Sequence, residues 1–162
     1  MDKIEPLDLK ILSIISKNAR IPFKDVAEKC NVSRAAVHQH VQKMIEDGII
    51  EGSGYHVNPR AIGYGTSSYI GITLERGSLY KEVSKQLAEL PEVVECHLVT
   101  GEYTLLIKIQ CYNNEHLMTL LNEKIQAIDG ILSTTTLISL EQTIYRTLHI
   151  PEVEMPVRKH SR

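Results

Sequence analysis

A short polar stretch, Ser33 to Lys43, contains residue types that can read double-stranded DNA. Glutamine can bond the Hoogsteen edge of adenine, alanine can touch a thymine methyl, and arginine can read guanine or grip phosphate. Such side chains act near the N-terminus of a helix in the major groove, where the helix dipole faces the phosphates. The candidate DNA contacts are Ser33, Arg34, Ala35, His38, Gln39, His40 and Lys43. The alternative for each of them is a solvated helix face.

The helix that must position these residues has a start signal, an apolar stripe and a stop signal. Asn31 tolerates the left-handed backbone of a tight turn, and Ser33 is a good N-cap for a helix that begins at Arg34. At about 100° per residue, its apolar side chains fall within about 40° of one direction. They are Val37, Val41 and Met44. Gly48 is expected to end the helix.

Two earlier helices and a hairpin are expected to complete this first domain. Helical spacing of apolar residues predicts a first helix that stops near Asn18 and a second helix with Pro22 in its first turn. After the third helix, Ile49 and Ile50 begin an apolar strand that turns back through 52–54 to 55–57. This outline predicts a winged helix-turn-helix, with Ser53 and His56 of the wing suited to contacts with the DNA backbone.

A second group of short polar side chains surrounds Gly101. The turn at Gly101 lets the backbone approach a ligand closely, and free amides there can bind a carboxylate. Thr104, Thr134 and Thr136 add hydroxyl groups, which suits a small amino-acid ligand with a polar side chain. The alternative for any single threonine is selection for β propensity.

The elements around Gly101 follow a repeating order. From Ser67 the apolar period changes from about 3.6 to about 2 residues, which predicts a strand. The segments that follow predict the order strand, helix, strand, strand, helix, strand, which is a ferredoxin-like βαββαβ plait. Its two helices lie on one face of a four-stranded antiparallel sheet, and the other face stays open unless a second subunit covers it. The fold class is therefore α+β.

These patterns divide the chain into four parts. A winged helix-turn-helix DNA-binding domain is predicted over 1–57, and a linker rich in turn residues over 58–65. A ferredoxin-like effector-binding and oligomerisation domain is predicted over 66–150. The last part, 151–162, is predicted to be a disordered tail, because it is rich in proline and charge.

Charge and cysteine content exclude several classes of protein. Residues 1–64 carry nine Lys/Arg and eight Asp/Glu, and residues 65–162 carry nine and twelve, so DNA binding must rest on local placement of charge. The three cysteines, Cys30, Cys96 and Cys111, lack metal-ligand spacing and are expected to be reduced thiols in a cytoplasmic protein. Met1 to Pro6 predicts no signal peptide, and no apolar run approaches the roughly 18 residues of a membrane span.

Together these motifs resemble the Lrp/AsnC family of transcription factors, which includes the leucine-responsive and asparagine-synthetase regulators. The resemblance covers Leu7 to about Leu148. It is carried by LDLKIL, NAR, NVS with VHQHVQKMIEDGII, NPRAIGY, TGEYTLLIK and STTTLISL. TGEYTLLIK combined with an upstream helix-turn-helix is far more specific than either part alone. HVQKM and NEKIQAIDGILSTTTLI look most similar to the asparagine-sensing branch.

The resemblance implies what each domain does. It implies a DNA-binding N-terminal domain and a plait that dimerises, assembles into a ring of about eight chains, an octamer, and binds an amino acid between dimers. Asparagine is the favoured effector, and no other cofactor and no metal is expected. The implied effector site is Thr100, Gly101, Glu102, Tyr103, Thr104, Thr134 and Thr136.

The chain departs from the family pattern at two positions. The family usually has arginine where this chain has His40, so the grip on phosphate is expected to be weaker or pH-dependent. An aspartate is common where Thr104 stands, and a threonine hydroxyl cannot pair with an ammonium group as a carboxylate does.

Two other functions compete with a ligand-responsive regulator. Haem-pathway decarboxylases resemble the same family, and His97 or His116 would then serve as ligand or acid. No carboxylate or cysteine constellation joins either histidine, so we predict that the chain is not an enzyme and has no catalytic residues. The second alternative is a ligand-independent architectural DNA-binding protein, which a net charge of -2 disfavours.

Overall fold

The protein folds into two compact units. A computed structural model describes residues 4–151 of the chain. Within this range, one unit contains residues 4–55 together with 145–151, and the other contains His56–Ile144. Among the described residues, no helix has the length and apolar character that crossing a membrane requires.

The first unit is built from three helices. They are α1 (Pro6–Ile15), α2 (Phe23–Cys30) and α3 (Arg34–Glu46). Their apolar stripes meet in one core that contains Ile11, Val26, Cys30, Val37 and Met44. α2 ends because Asn31 adopts a left-handed backbone with φ 56°, as the sequence predicted. Ser33 then caps α3 by accepting a hydrogen bond from the Ala36 amide at 3.1 Å.

The predicted wing hairpin is wrong as a pair of strands. Residues 47–58 contain no strand, although all of them are described. The amides of Ile49 and Ile50 instead donate to the Met44 carbonyl at 2.8 and 3.0 Å, so these residues close the end of α3. A two-stranded hairpin on its own is marginally stable, and Tyr55 and Val57 remain 80% and 61% exposed, without a core to cover them.

The second unit is the predicted plait, and the α+β class is confirmed. It contains β1 (Thr66–Leu74), α4 (Tyr80–Ala88), β2 (Val93–Leu98), β3 (Leu105–Cys111), α5 (Asn114–Thr119) and β4 (Ile131–Ser139). The strands form one antiparallel sheet in the order β2-β3-β1-β4. Alternate residues of β1 and β3, such as Ile70 and Ile107, pack with Val83 and Leu117 of the helices. The helices therefore cover one face and leave the other open.

The second helix of the plait changes its period partway. After α5 the chain continues as a π-helical segment, Leu120–Ile125, so the turn is wider than in an α-helix. As a result Leu120 is buried at 1% exposure, and Leu121, which an unbroken helix would bury, only packs beside the core.

The end of the described chain does not extend the sheet. Residues 141–151 contain no strand. Ile150 packs against the three-helix core, which is why residues from Tyr145 group with the first unit.

The domain predicted over 66–150 differs from the second unit at both ends. The linker predicted over 58–65 lies within the second unit, where Gly65 donates to the Tyr112 carbonyl at 3.1 Å. The tail predicted over 151–162 lies outside the described residues except for Pro151.

Ile107 offers a test of the plait core, because it lies on an inner strand and is 0% exposed. We expect Ile107→Ala to lower the free energy of unfolding by about 2–5 kcal/mol through lost burial and the cavity left behind. Lys85→Ala on the exposed face of α4 should change the free energy by less than about 0.5 kcal/mol. Urea denaturation of both variants is the measurement, and equal effects would contradict the core assignment.

Candidate DNA interface and effector site

The N-terminal half of α3 presents a polar face to solvent. Val37 and Met44 are 0% and 1% exposed, whereas Arg34, Ala35, His38, Gln39 and Lys43 are all exposed. The helix is thus anchored by its apolar stripe and held at its start by the Ser33 cap. An exposed helix N-terminus with these side chains has the hydrogen-bonding groups that the major groove requires.

His40 lies elsewhere on the helix. Its side chain is only 25% exposed, and its Nδ1 lies 2.6 Å from Oδ1 of Asp8 on α1. The structure therefore turns His40 toward the neighbouring helix and away from the exposed face. Sequence reasoning missed Asp8; the signal available was the position of His40 at the edge of the apolar stripe.

Lys43 and Glu46 of α3 each have a partner at the surface. Gln42 donates to Glu46 at 3.1 Å, and the Lys43 ammonium lies 3.8 Å from the Glu5 carboxylate. Both members of the Lys43 pair are more than half exposed, so the pair contributes little to stability and leaves Lys43 available to a phosphate.

The Gly101 turn is open to solvent, and its backbone conformation favours glycine. Gly101 has φ 117°, and an added Cβ would meet nothing within 4 Å. Thr100 and Glu102 beside it are exposed. The end of the turn is fixed to β1, because the Thr104 amide donates to Ile72 at 2.9 Å and its hydroxyl accepts from the Leu74 amide at 3.4 Å. The turn therefore combines a firm attachment with space above Gly101.

Two of the three threonines of β4, Thr134 and Thr136, pair with residues of β1 that face the core. Thr134 is the register partner of Ile72, and Thr136 is the partner of Ile70. Because paired residues share a face, both threonines lie on the side of the sheet that the helices cover. The Thr134 hydroxyl accepts a hydrogen bond from Gln126 at 2.8 Å. Thr104, just before β3, and Thr134 of β4 thus lie on either side of Ile72 of β1.

Tyr103 belongs to the opposite face. Its ring lies on Gly71, where an added Cβ would come within 2.6 Å of the ring atoms. Gly71 alternates with Ile70 and Ile72, so it faces away from the helices. The structure therefore brings Thr104 and Thr134 to one end of the sheet but separates Tyr103 from Thr134 and Thr136 by the sheet itself.

The open face of the sheet carries an ion pair that the sequence did not single out. The Lys108 ammonium lies 2.9 Å from Glu95, and His97 lies 3.6 Å from the same carboxylate. The Lys108 hydrogen bond holds the pKa of the Glu95 carboxyl below its usual value, against the effect of burial. Register places Glu95 opposite Lys108, so a signal existed only once the strand pairing was known.

His116 is fully engaged by its neighbours. Its Nδ1 accepts from the Tyr112 amide at 3.3 Å, and its Nε2 lies 3.2 Å from Glu92. Its ring also stacks on Tyr112, which stacks in turn on Tyr64. Burial alone would raise the pKa of the Glu92 carboxyl, but a backbone hydrogen bond, the Lys124 ammonium and His116 together hold it below its usual value. Both ring nitrogens of His116 therefore support the fold around the start of β2.

Comparison with known proteins agrees with this two-part architecture. The family model for a winged helix-turn-helix DNA-binding domain matches residues 4–51, and that for the Lrp/AsnC ligand binding domain matches 67–148. The chain is 38% identical over 148 residues to the regulatory protein AsnC of Haemophilus influenzae, covering 91% of this chain and 99% of that protein. It is 39% identical over 145 residues to AsnC of Escherichia coli K12, covering 90% and 95%.

Solved structures show the same fold. The structure of E. coli AsnC has a TM-score of 0.85 at 38% identity, covering 91% of this chain and 99% of that chain. A Neisseria meningitidis transcriptional regulator, solved as a complex with L-Met, has a TM-score of 0.82 at 16% identity, covering 90% and 95%. The protein is thus a transcriptional regulator with a helix-turn-helix DNA-binding domain and a ligand-binding domain. The chain belongs to the Lrp/AsnC family, as the sequence motifs indicated.

The lowered pKa of the Glu92 carboxyl predicts that the stability of the fold depends on pH. Because its pKa is lowered in the folded protein, its ionised form stabilises the fold at pH above the unfolded value of about 4.3, and this contribution is lost as pH falls through the folded pKa. We expect the free energy of unfolding of wild type to fall between about pH 5 and 3 more steeply than that of Glu92→Gln. Urea titrations across this range are the measurement, and identical slopes for the two proteins would contradict the assignment.

Proposed function

We propose that this regulator reads duplex DNA through the first turns of α3 (Arg34–Glu46). The observation that carries the proposal is the exposure of Gln39 and its neighbours above a buried stripe of Val37 and Met44. Gln39 and Ala35 would contact bases, and Arg34 would read guanine or hold phosphate. Ser33, His38 and Lys43 would contact the DNA backbone near the same groove.

We further propose that the effector is a small amino acid and that asparagine is favoured. The backbone amides of the open Gly101 turn suit a carboxylate, and Thr104 and Thr134 supply hydroxyl groups at the same end of the sheet. The chain resembles the asparagine-sensing branch in HVQKM and in the β4 region, and relatives 38–39% identical are named AsnC. The L-Met complex of a structural neighbour supports an amino acid as the class of ligand.

The open face of the sheet is proposed to bind the same face of a second copy. It carries Tyr69, Gly71, Leu106 and Leu137, the last 55% exposed, around the Glu95–Lys108 pair. A self-complementary sheet face suits a two-fold dimer, and such dimers would assemble into a ring of about eight chains. An effector bound between dimers would change DNA binding by favouring one assembly geometry over another.

The proposal also covers where the protein acts and whether it is an enzyme. Because the partner is chromosomal DNA, the protein would act in the cytoplasm. The chain would work as a regulator without catalysis: His97 is a surface partner of Glu95 and His116 has both nitrogens engaged in the fold. A ligand-independent architectural role remains the competing function, and a response to one amino acid distinguishes the two.

Gln39→Ala tests the DNA interface. Removal of a bidentate contact should cost about 1–3 kcal/mol of discrimination at one base position, while the salt dependence of binding stays nearly unchanged. Selection of duplexes from a randomised pool by wild type and variant, followed by titration of the selected duplex at several salt concentrations, measures both. An unaltered base preference would rule out Gln39 as a base contact.

Gly101→Val tests the effector site. A β-branched residue is strained at φ 117° and its side chain fills the space above the turn, so ligand binding should fall at least about tenfold while DNA binding by the dimer persists. Gly77→Val is the matched control, because Gly77 is also exposed and open but lies outside the turn. Isothermal titration with the twenty amino acids, asparagine first, is the measurement. Equal affinity in wild type and Gly101→Val would exclude this site.

A further inference from the structure

The three-helix unit contains a buried carboxylate that touches the DNA-reading helix. Asp8 is 5% exposed and lies in the first turn of α1. Its Oδ1 lies 2.6 Å from Nδ1 of His40, which stands on α3, 32 residues further along the chain. A buried carboxylate needs a hydrogen-bonding or charged partner, because an unpaired one would carry a large desolvation cost. His40 is that partner.

This contact secures α3 on one side of its base-reading face. On the other side the His38 ring meets the Phe23 ring of α2 edge-on, with centroids 6.1 Å apart and planes at 75°. Gln39 lies between these two contacts in sequence and is exposed. A small rotation of α3 would move the Gln39 amide away from a base edge, and hydrogen bonds weaken steeply with misalignment. The Asp8–His40 contact is therefore placed to set that orientation.

We propose that His40 acts in DNA recognition as a positioning residue, which orients α3 through Asp8 instead of touching DNA. The proposal rests on the function proposed above and reassigns one of the seven residues that the sequence placed at the interface. Two observations on His40 support this reassignment. Its side chain is only 25% exposed, and its Nδ1 is hydrogen-bonded to Asp8 of α1, so it is poorly placed to bind a phosphate.

The strength of the Asp8–His40 contact depends on the charge of the imidazole. Histidine side chains change charge between about pH 5 and 8, and a hydrogen bond between ions is about twice as strong as a neutral one. The charged groups around His40 are Asp8 of α1, Glu5 just before α1, and Lys43 of α3, whose ammonium lies 3.8 Å from the Glu5 carboxylate. The charged residues of α2 are exposed; they are Lys24, Asp25, Glu28 and Lys29. A charged imidazole would therefore hold α3 on Asp8 more firmly than a neutral one.

The experiment uses the full chain and a duplex that wild type selects from a randomised pool, with a chelator present so that no metal bridges Glu5, Asp8 and His40. We expect wild-type affinity to fall about fivefold from pH 6 to pH 8. His40→Arg should be nearly flat over this range, because a guanidinium keeps its charge. A slope retained in His40→Arg would overturn the proposal, since another group would then cause it.

Neutral variants separate positioning from direct contact. His40→Gln should lose about fivefold in affinity at pH 6 with an unchanged salt slope, whereas loss of a phosphate contact lowers that slope by about one. Asp8→Asn should lose as much, and the double variant should lose no more than either single variant. A reduced salt slope in His40→Gln, or tighter binding by Asp8→Asn because it releases the imidazolium, would contradict the proposal.

Two controls keep the outcome interpretable. Thermal melting shows whether each variant folds, and if Asp8→Asn does not, the pH profile of His40→Arg and the salt slope of His40→Gln decide by themselves. If wild type selects no duplex, the proposed function fails before any variant is measured. If wild type selects a duplex and Gln39→Ala changes its base preference while the His40 variants behave as wild type, only the positioning role fails.

Discussion

The burial of one apolar stripe on α3 is the constraint on which the DNA-binding unit depends. Val37 and Met44 are almost completely inaccessible, and each such side chain contributes about 1.5–3 kcal/mol by leaving water. Rotation of α3 would expose them, so the polar side chains opposite remain turned to solvent. The Ser33 cap fixes where the helix begins, and the Asp8–His40 contact adds a polar link to α1. The groups that suit a major groove are thereby held on one rigid surface.

The sheet of the second unit uses its two faces for different purposes. The helix-covered face supplies the core, with Ile70, Ile72 and Ile107 at its centre. The open face carries the Tyr103 ring on Gly71 and the Glu95–Lys108 pair. The Gly101 turn connects β2 to β3, at the end of the sheet where Thr134 of β4 pairs with Ile72 of β1. The proposed effector site and the proposed dimer surface therefore occupy neighbouring parts of one sheet.

The success and failure of sequence reasoning follow from how local each signal is. The Asn31 turn, the Ser33 cap and the α3 stripe depend on a few adjacent residues, and the structure has all three. The wing strands failed because Ile49 and Ile50 close the α3 terminus, a competition between two local structures that periodicity does not weigh. Leu120 replaced Leu121 in the core because a π-turn shifted the period. The position of His40 at the edge of the apolar stripe was a local signal, but its partner Asp8 was missed because it lies 32 residues away along the chain.

The most direct test is to map where α3 contacts DNA. A photoactivatable cross-linking residue placed at Gln39 in the full chain, and for comparison at Lys85 on α4, would be irradiated with a duplex that the wild-type protein selects. We expect a protein–DNA adduct from position 39 that maps to a base in the major groove, and none from position 85. An adduct from position 85, with none from position 39, would contradict the assignment of α3 as the DNA-reading helix.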